Sequence, residues 1–91
     1  MQTLFTPGRL LATPAALECL TAAGRTPFEF VRRHIAGDWS EMSAEDMAAN
    51  SRAVADGSRV FSSYGLPDGA RVWVITEADR GQTTVLLPSD Y

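Results

Sequence analysis

Lysine is missing from this 91-residue chain: all eight basic residues are arginines. Set against eleven acids they leave a formal charge of −3, which argues against the broad basic field that nonspecific nucleic-acid binding needs. A focused arginine patch stays compatible with that charge, because a guanidinium can grip a phosphate or an interface carboxylate with two parallel bonds. Cys19 is the one cysteine, so no internal disulfide can form. His34 is the one histidine, and the pair makes no zinc-binding pattern. No apolar run approaches the ~20 residues of a membrane-spanning helix, and the first residues lack a basic segment leading into an apolar stretch. The expectation is a cytoplasmic protein with no membrane segment. Walker phosphate loops, glycine-rich dinucleotide fingerprints and serine nucleophile elbows are also missing, so no cofactor is implied.

What is present reads as one α+β domain over residues 1–91. A chain this short buries only about 60–65% of its unfolded surface, so burial against a protein partner or in a homodimer would add to a thin core. Three helix starts are well punctuated. Thr13-Pro14 pairs a hydroxyl cap with proline at the first helical position and predicts a helix to about Ala23, stopped at Gly24. Thr26-Pro27 repeats the device, with Glu29 completing a capping box, and predicts a helix from Pro27 to Ala36 that ends at Gly37. Phe28, Val31 and Ile35 share one face of it, while Arg32, Arg33 and His34 complement the dipole at its C-terminal end. Ser43, with Asp46 three residues on, starts a third helix that runs to about Ala55 before Gly57, with Met47, Asn50 or Ser51, and Val54 as its inward positions. Trp39 is placed to plug the corner between the second and third helices.

After Gly57 the period changes from helical to alternating. Val60, Ser62 and Tyr64 share one side of a strand, and Arg59, Phe61 and Ser63 the other. Leu66-Pro67-Asp68-Gly69 is a turn. In the next strand Val72, Val74 and Thr76 oppose Arg71, Trp73 and Ile75, and a third strand covers Gln82 to Leu87. The expected architecture is therefore about three N-terminal helices packed on a C-terminal three-stranded antiparallel meander. Residues 1–12 read as a short strand or an extended arm.

The turn from Glu77 to Arg80 carries more charge than chain reversal requires. With the strand before it, it defines an interaction surface centred on Arg71, Trp73, Glu77, Asp79 and Arg80, with Arg33 and His34 as further contributors. Tryptophan and arginine are the residue types that dominate binding hot spots. Each has a plain alternative: arginines pairing with surface acids, Trp73 as a core anchor, and His34 as a helix-end residue. Glu77 and Asp79 alone make a poor metal site. A ribonuclease reading would combine His34 as base with Arg33, Arg80, Glu77 and Thr83 around a phosphate.

The segments Arg33-His34-Ile35-Ala36-Gly37-Asp38-Trp39 and Arg71-Val72-Trp73-Val74-Ile75-Thr76-Glu77-Ala78-Asp79-Arg80, followed by Thr83-Thr84 and Leu86-Leu87-Pro88, resemble a family of small, uncharacterised bacterial proteins of plasmids and other mobile elements. The resemblance runs from the Thr13-Pro14 helix start to Tyr91. It brings no catalytic residues. It implies a bacterial cytoplasmic setting and an accessory role for mobile DNA: regulation, a toxin–antitoxin system, or interference with host defence. The expected activity is non-enzymatic binding of a macromolecular partner, a protein rather than nucleic acid, with a small RNase-like toxin as the alternative.

Overall fold

The computed structural model describes residues 3–91. Strand β1 (Arg9–Ala12) is followed by helices α1 (Pro14–Ala22), α2 (Pro27–Ile35) and α3 (Ala44–Asp56), then by strands β2 (Val60–Gly65), β3 (Arg71–Thr76) and β4 (Gln82–Leu86), and by a 3-10 turn at Pro88–Asp90. The sheet has four strands in the order β1-β4-β3-β2. β2, β3 and β4 form the antiparallel meander, but β1 adds beside β4 in parallel, Arg9 opposite Gln82 and Ala12 opposite Val85. The three-stranded antiparallel sheet is thus corrected to a four-stranded mixed one. A parallel neighbour needs a crossover, and the three helices between β1 and β2 supply it.

Helix punctuation explains the crossover. Thr13 accepts the Ala16 amide at 3.1 Å and Ser43 accepts the Asp46 amide at 3.1 Å, so the starts of α1 and α3 are capped by side chains. The capping box expected at α2 does not form. Thr26 makes no side-chain cap, and Glu29 turns instead to Arg25, which it binds through both carboxylate oxygens. The Arg25 guanidinium, just ahead of the helix, outcompetes the cap amide for the Glu29 carboxylate.

The core lies between the helices and the inward face of the sheet. Phe30, Val31, Ala16 and Leu20 from α1 and α2 meet Tyr64, Val72, Val74 and Val85. A second cluster joins Trp39, Ala53 and Val60 under α3. Trp39 therefore fills its corner as the sequence suggests, 6% exposed. In α3 the inward positions are Asn50 and Ala53, while Met47 is left 39% exposed. The N-terminal arm enters β1 through Gly8, whose φ of 66° and close approach to Arg80 and Gly81 exclude a side chain.

Candidate functional site

His34 sits where the two periods of the fold meet. It lies four residues after Phe30 and three after Val31, on the same buried stripe of α2. It is fully buried. Beneath it the sheet offers three inward hydroxyls, one per strand of the meander: Ser62 on β2, Thr76 on β3 and Thr83 on β4. The His34 Nδ1 lies 2.5 Å from the Ser62 Oγ, and its Nε2 lies 2.8 Å from the Thr76 Oγ1. Thr76 and Thr83 hydroxyls are 2.6 Å apart, and Thr83 donates to the Pro7 carbonyl at 2.7 Å.

The Pro7 carbonyl can only accept, and this sets the direction of every proton in the row. Thr83 spends its proton on Pro7, so it accepts from Thr76. Thr76 in turn accepts from His34, which fixes the neutral ring with its proton on Nε2 and leaves Nδ1 to accept from Ser62. Desolvation favours the same uncharged state: burial pushes the His34 pKa down to about 3, with the Arg80 charge adding to the shift. The Phe5 ring meets His34 edge-on at 5.2 Å, and the Arg80 guanidinium lies 5.4 Å from the centre of that ring. The arm thus closes the row from one end, and Phe5 separates the histidine from the arginine.

The residues singled out from sequence do not form one patch. His34 has no access to solvent and contributes to no surface. Arg80 turns towards the helices, although its turn follows β3. Its φ of 59° is left-handed, and its guanidinium donates to the carbonyls of Ser58 at 2.6 Å, Ala53 at 3.1 Å and Glu77 at 3.2 Å. It thereby holds the C-terminal end of α3. Arg33 stacks 4.4 Å from the Tyr64 ring and binds Asp38 at 2.7 Å and Glu41 at 2.9 Å. That guanidinium and the Ser40 hydroxyl hold Asp38 below the usual carboxylate range. The Gly65 amide, with Arg33 behind it, does the same for Glu41. Asp79 accepts the Gly81 amide at 2.8 Å and shapes its own turn.

Trp73 and Arg71 do share a surface, the sheet face opposite α1 and α2, beside the start of α3. There Phe61 and Trp73 pack edge to face at 5.0 Å, and Trp73 meets Tyr91 at 5.8 Å. The tail reaches this position because the 3-10 turn folds back beside β3. Arg59 borders the aromatic row at one end, donating to the Tyr91 hydroxyl at 3.0 Å with Glu77 at 3.7 Å. Arg71 borders the other, donating to Ser63 at 2.9 Å. Beside it a recess of about 250 Å³ runs between Phe61, Trp73, Arg71, Met42 and Glu41. The interaction surface assigned from sequence left out Phe61, Tyr91 and Arg59. The period-two placement of Arg59, Phe61 and Ser63 opposite Val60, Ser62 and Tyr64 carried the signal for two of them.

Among the described residues no group of three or more histidine, cysteine or acidic side chains is arranged to hold a metal ion, and no helix is long and apolar enough to cross a membrane. The chain matches no protein-family model, no curated protein and no solved structure.

Proposed function

We propose that this protein is a non-enzymatic accessory module that binds a protein partner through the open face of its sheet. The observation that carries the reading is the row Phe61–Trp73–Tyr91, bordered by Arg59 and Arg71, on the sheet face away from α1 and α2, with the start of α3 at the rim of its recess. Three aromatic rings with arginines at the margin have the composition of a binding hot spot. Tyr91 is 71% exposed, so a partner can displace or engage the tail without unfolding the core. The likeness of the Arg33–Trp39 and Arg71–Arg80 segments to small proteins of mobile DNA supports a bacterial cytoplasmic setting and a role in regulation or host-defence interference.

The test is affinity capture from the native bacterial lysate, with nuclease treatment in parallel, followed by direct binding of the purified partner. Trp73→Ala and Arg71→Ala should each weaken binding at least tenfold while leaving the fold intact. Unchanged binding by both folded variants would remove the assigned surface. The ribonuclease alternative draws no support from a histidine that is buried with both ring nitrogens engaged. RNA cleavage that disappears in His34→Gln would reinstate it.

A further inference from the structure

The two edges of the sheet are finished differently. At β2, Asn50 of α3 accepts the outward Phe61 amide at 3.2 Å and donates to the Phe61 carbonyl at 2.6 Å, and Glu41 accepts the Gly65 amide at 2.7 Å. Side chains thus occupy that edge and block another strand from adding to it. At β1 the amides of Arg9 and Thr13 bond to Gly81 and Val85 carbonyls of the β4 segment at 3.0 Å each. By alternation the amides and carbonyls of Leu10 and Ala12 point away from the sheet. Among the described residues no side chain bonds them. An apolar groove of about 230 Å³ runs along the same edge, walled by Leu10, Leu17, Pro27, Phe28 and Val31. Leu10 is 40%, Leu17 44% and Phe28 62% exposed.

An unfinished edge beside an apolar groove calls for an extended strand with apolar side chains, and the chain itself supplies one. We propose that β1 pairs antiparallel with β1 of a second copy about a two-fold axis, with Leu10 opposite Ala12, so that two four-stranded sheets become one of eight. The register makes Leu10 and Ala12 exchange both of their outward bonds with the partner. It sets a large side chain against a small one on the groove side, where Leu17 and Phe28 of each copy close over the seam. Leu11 falls on the axis.

Charge selects this occupant. Arg9 is exposed and takes part in none of the ion pairs among the described residues. In the proposed register it lies opposite Thr13 of the partner, on the same face. The Thr13 hydroxyl donates to Asp90 at 2.7 Å, and Asp90 likewise has no cationic partner among the described residues. Two-fold pairing therefore brings each unpaired arginine to an unpaired aspartate, twice over. An unrelated apolar peptide in the same groove would satisfy the main chain and leave both charges alone.

The mass in solution tests this directly. Light scattering behind size exclusion at about 100 μM protein should give twice the 9.8 kDa chain mass. Leu10→Asp should give the single-chain mass with an unchanged circular dichroism spectrum. Arg9→Glu and Asp90→Arg should each weaken self-association roughly tenfold, and the double variant should restore it. Leu11→Cys in a Cys19→Ser background should form a disulfide-linked dimer on mild oxidation, since opposed residues at such a position lie about 4.5 Å apart at Cα. A single-chain mass for the unaltered protein overturns the proposal. So does a dimer that survives Leu10→Asp, or one whose charge reversals do not rescue each other. Binding of the partner at Trp73 is read separately and does not depend on the result.

Discussion

Acidification from pH 7 to pH 5 is expected to remove about 2 kcal/mol of folding stability through His34 alone. In the unfolded chain the imidazole takes up a proton near its ordinary value of 6.5, whereas in the folded protein burial holds it neutral down to about pH 3. Its folded pKa is depressed, so its contribution is complete above pH 6.5 and is lost as the pH falls from there towards 3. Each pH unit inside that window costs about 1.4 kcal/mol once the unfolded histidine is mostly charged. No other side chain confuses the measurement, because this is the one histidine and the carboxylates begin to titrate only below about pH 5. Urea unfolding at pH 7, 6 and 5 measures the slope. For a domain of this size the same loss lowers the melting temperature by roughly 8–16 °C. His34→Gln should be less stable at pH 7 but should lack the slope between pH 7 and 5. Equal slopes for the two proteins would refute both the neutral ring and the proton directions assigned to the buried row. A ¹⁵N spectrum of the imidazole adds an independent check, with Nε2 protonated throughout.

Thr83→Val keeps the shape of the side chain but strands the Pro7 carbonyl and removes the acceptor for Thr76; a loss of about 1–3 kcal/mol in urea unfolding is expected. Gly8→Ala should cost roughly 2–3 kcal/mol by the same assay, because a left-handed φ is combined with collision against Arg80 and Gly81. Arg80→Gly should be less destabilising than Arg80→Ala by about 1 kcal/mol: both lose the three carbonyl contacts, but glycine relieves the φ of 59°. The reverse order would mean that the left-handed backbone at Arg80 stores no strain for glycine to relieve.

The helices were legible because their limits are written locally. Thr13-Pro14, Thr26-Pro27 and Ser43 mark the starts, and the observed ends fall within two residues of Gly24, Gly37 and Gly57. The meander was legible from alternation in β2 and β3. A short strand within residues 1–12 was one of two readings, but the place of β1 in the sheet was not legible, since Arg-Leu-Leu-Ala does not alternate in polarity and its partner is the last strand of the sheet. No local pattern encodes a parallel pairing over that distance. His34 was misread for a related reason. Its neighbours Arg32 and Arg33 made the end of α2 look polar, while its spacing from Phe30 put it on the inward stripe. The neglected signal lay in the strands. Ser62, Thr76 and Thr83 occupy inward positions among valines, and buried hydroxyls need partners. The Glu77–Arg80 cluster failed as a single surface because the left-handed backbone at Arg80 swings its side chain to the helix side.

The junction of β1 with β4 also sets an order of events during synthesis. Arg9 must wait for Gln82, and the Pro7 carbonyl must wait for the Thr83 hydroxyl. The helices and the β2–β3 hairpin can form from contacts nearer in sequence, but the seal over His34 requires a late, long-range closure, the slow kind of step in folding. A nascent chain that has passed Thr76 but not Thr83 holds its histidine beneath an incomplete cover and an arm with nowhere to dock. Ribosome-bound chains stalled before and after β4 would differ in protease sensitivity at Thr3–Gly8, which makes this arm a reporter of when the molecule finishes folding.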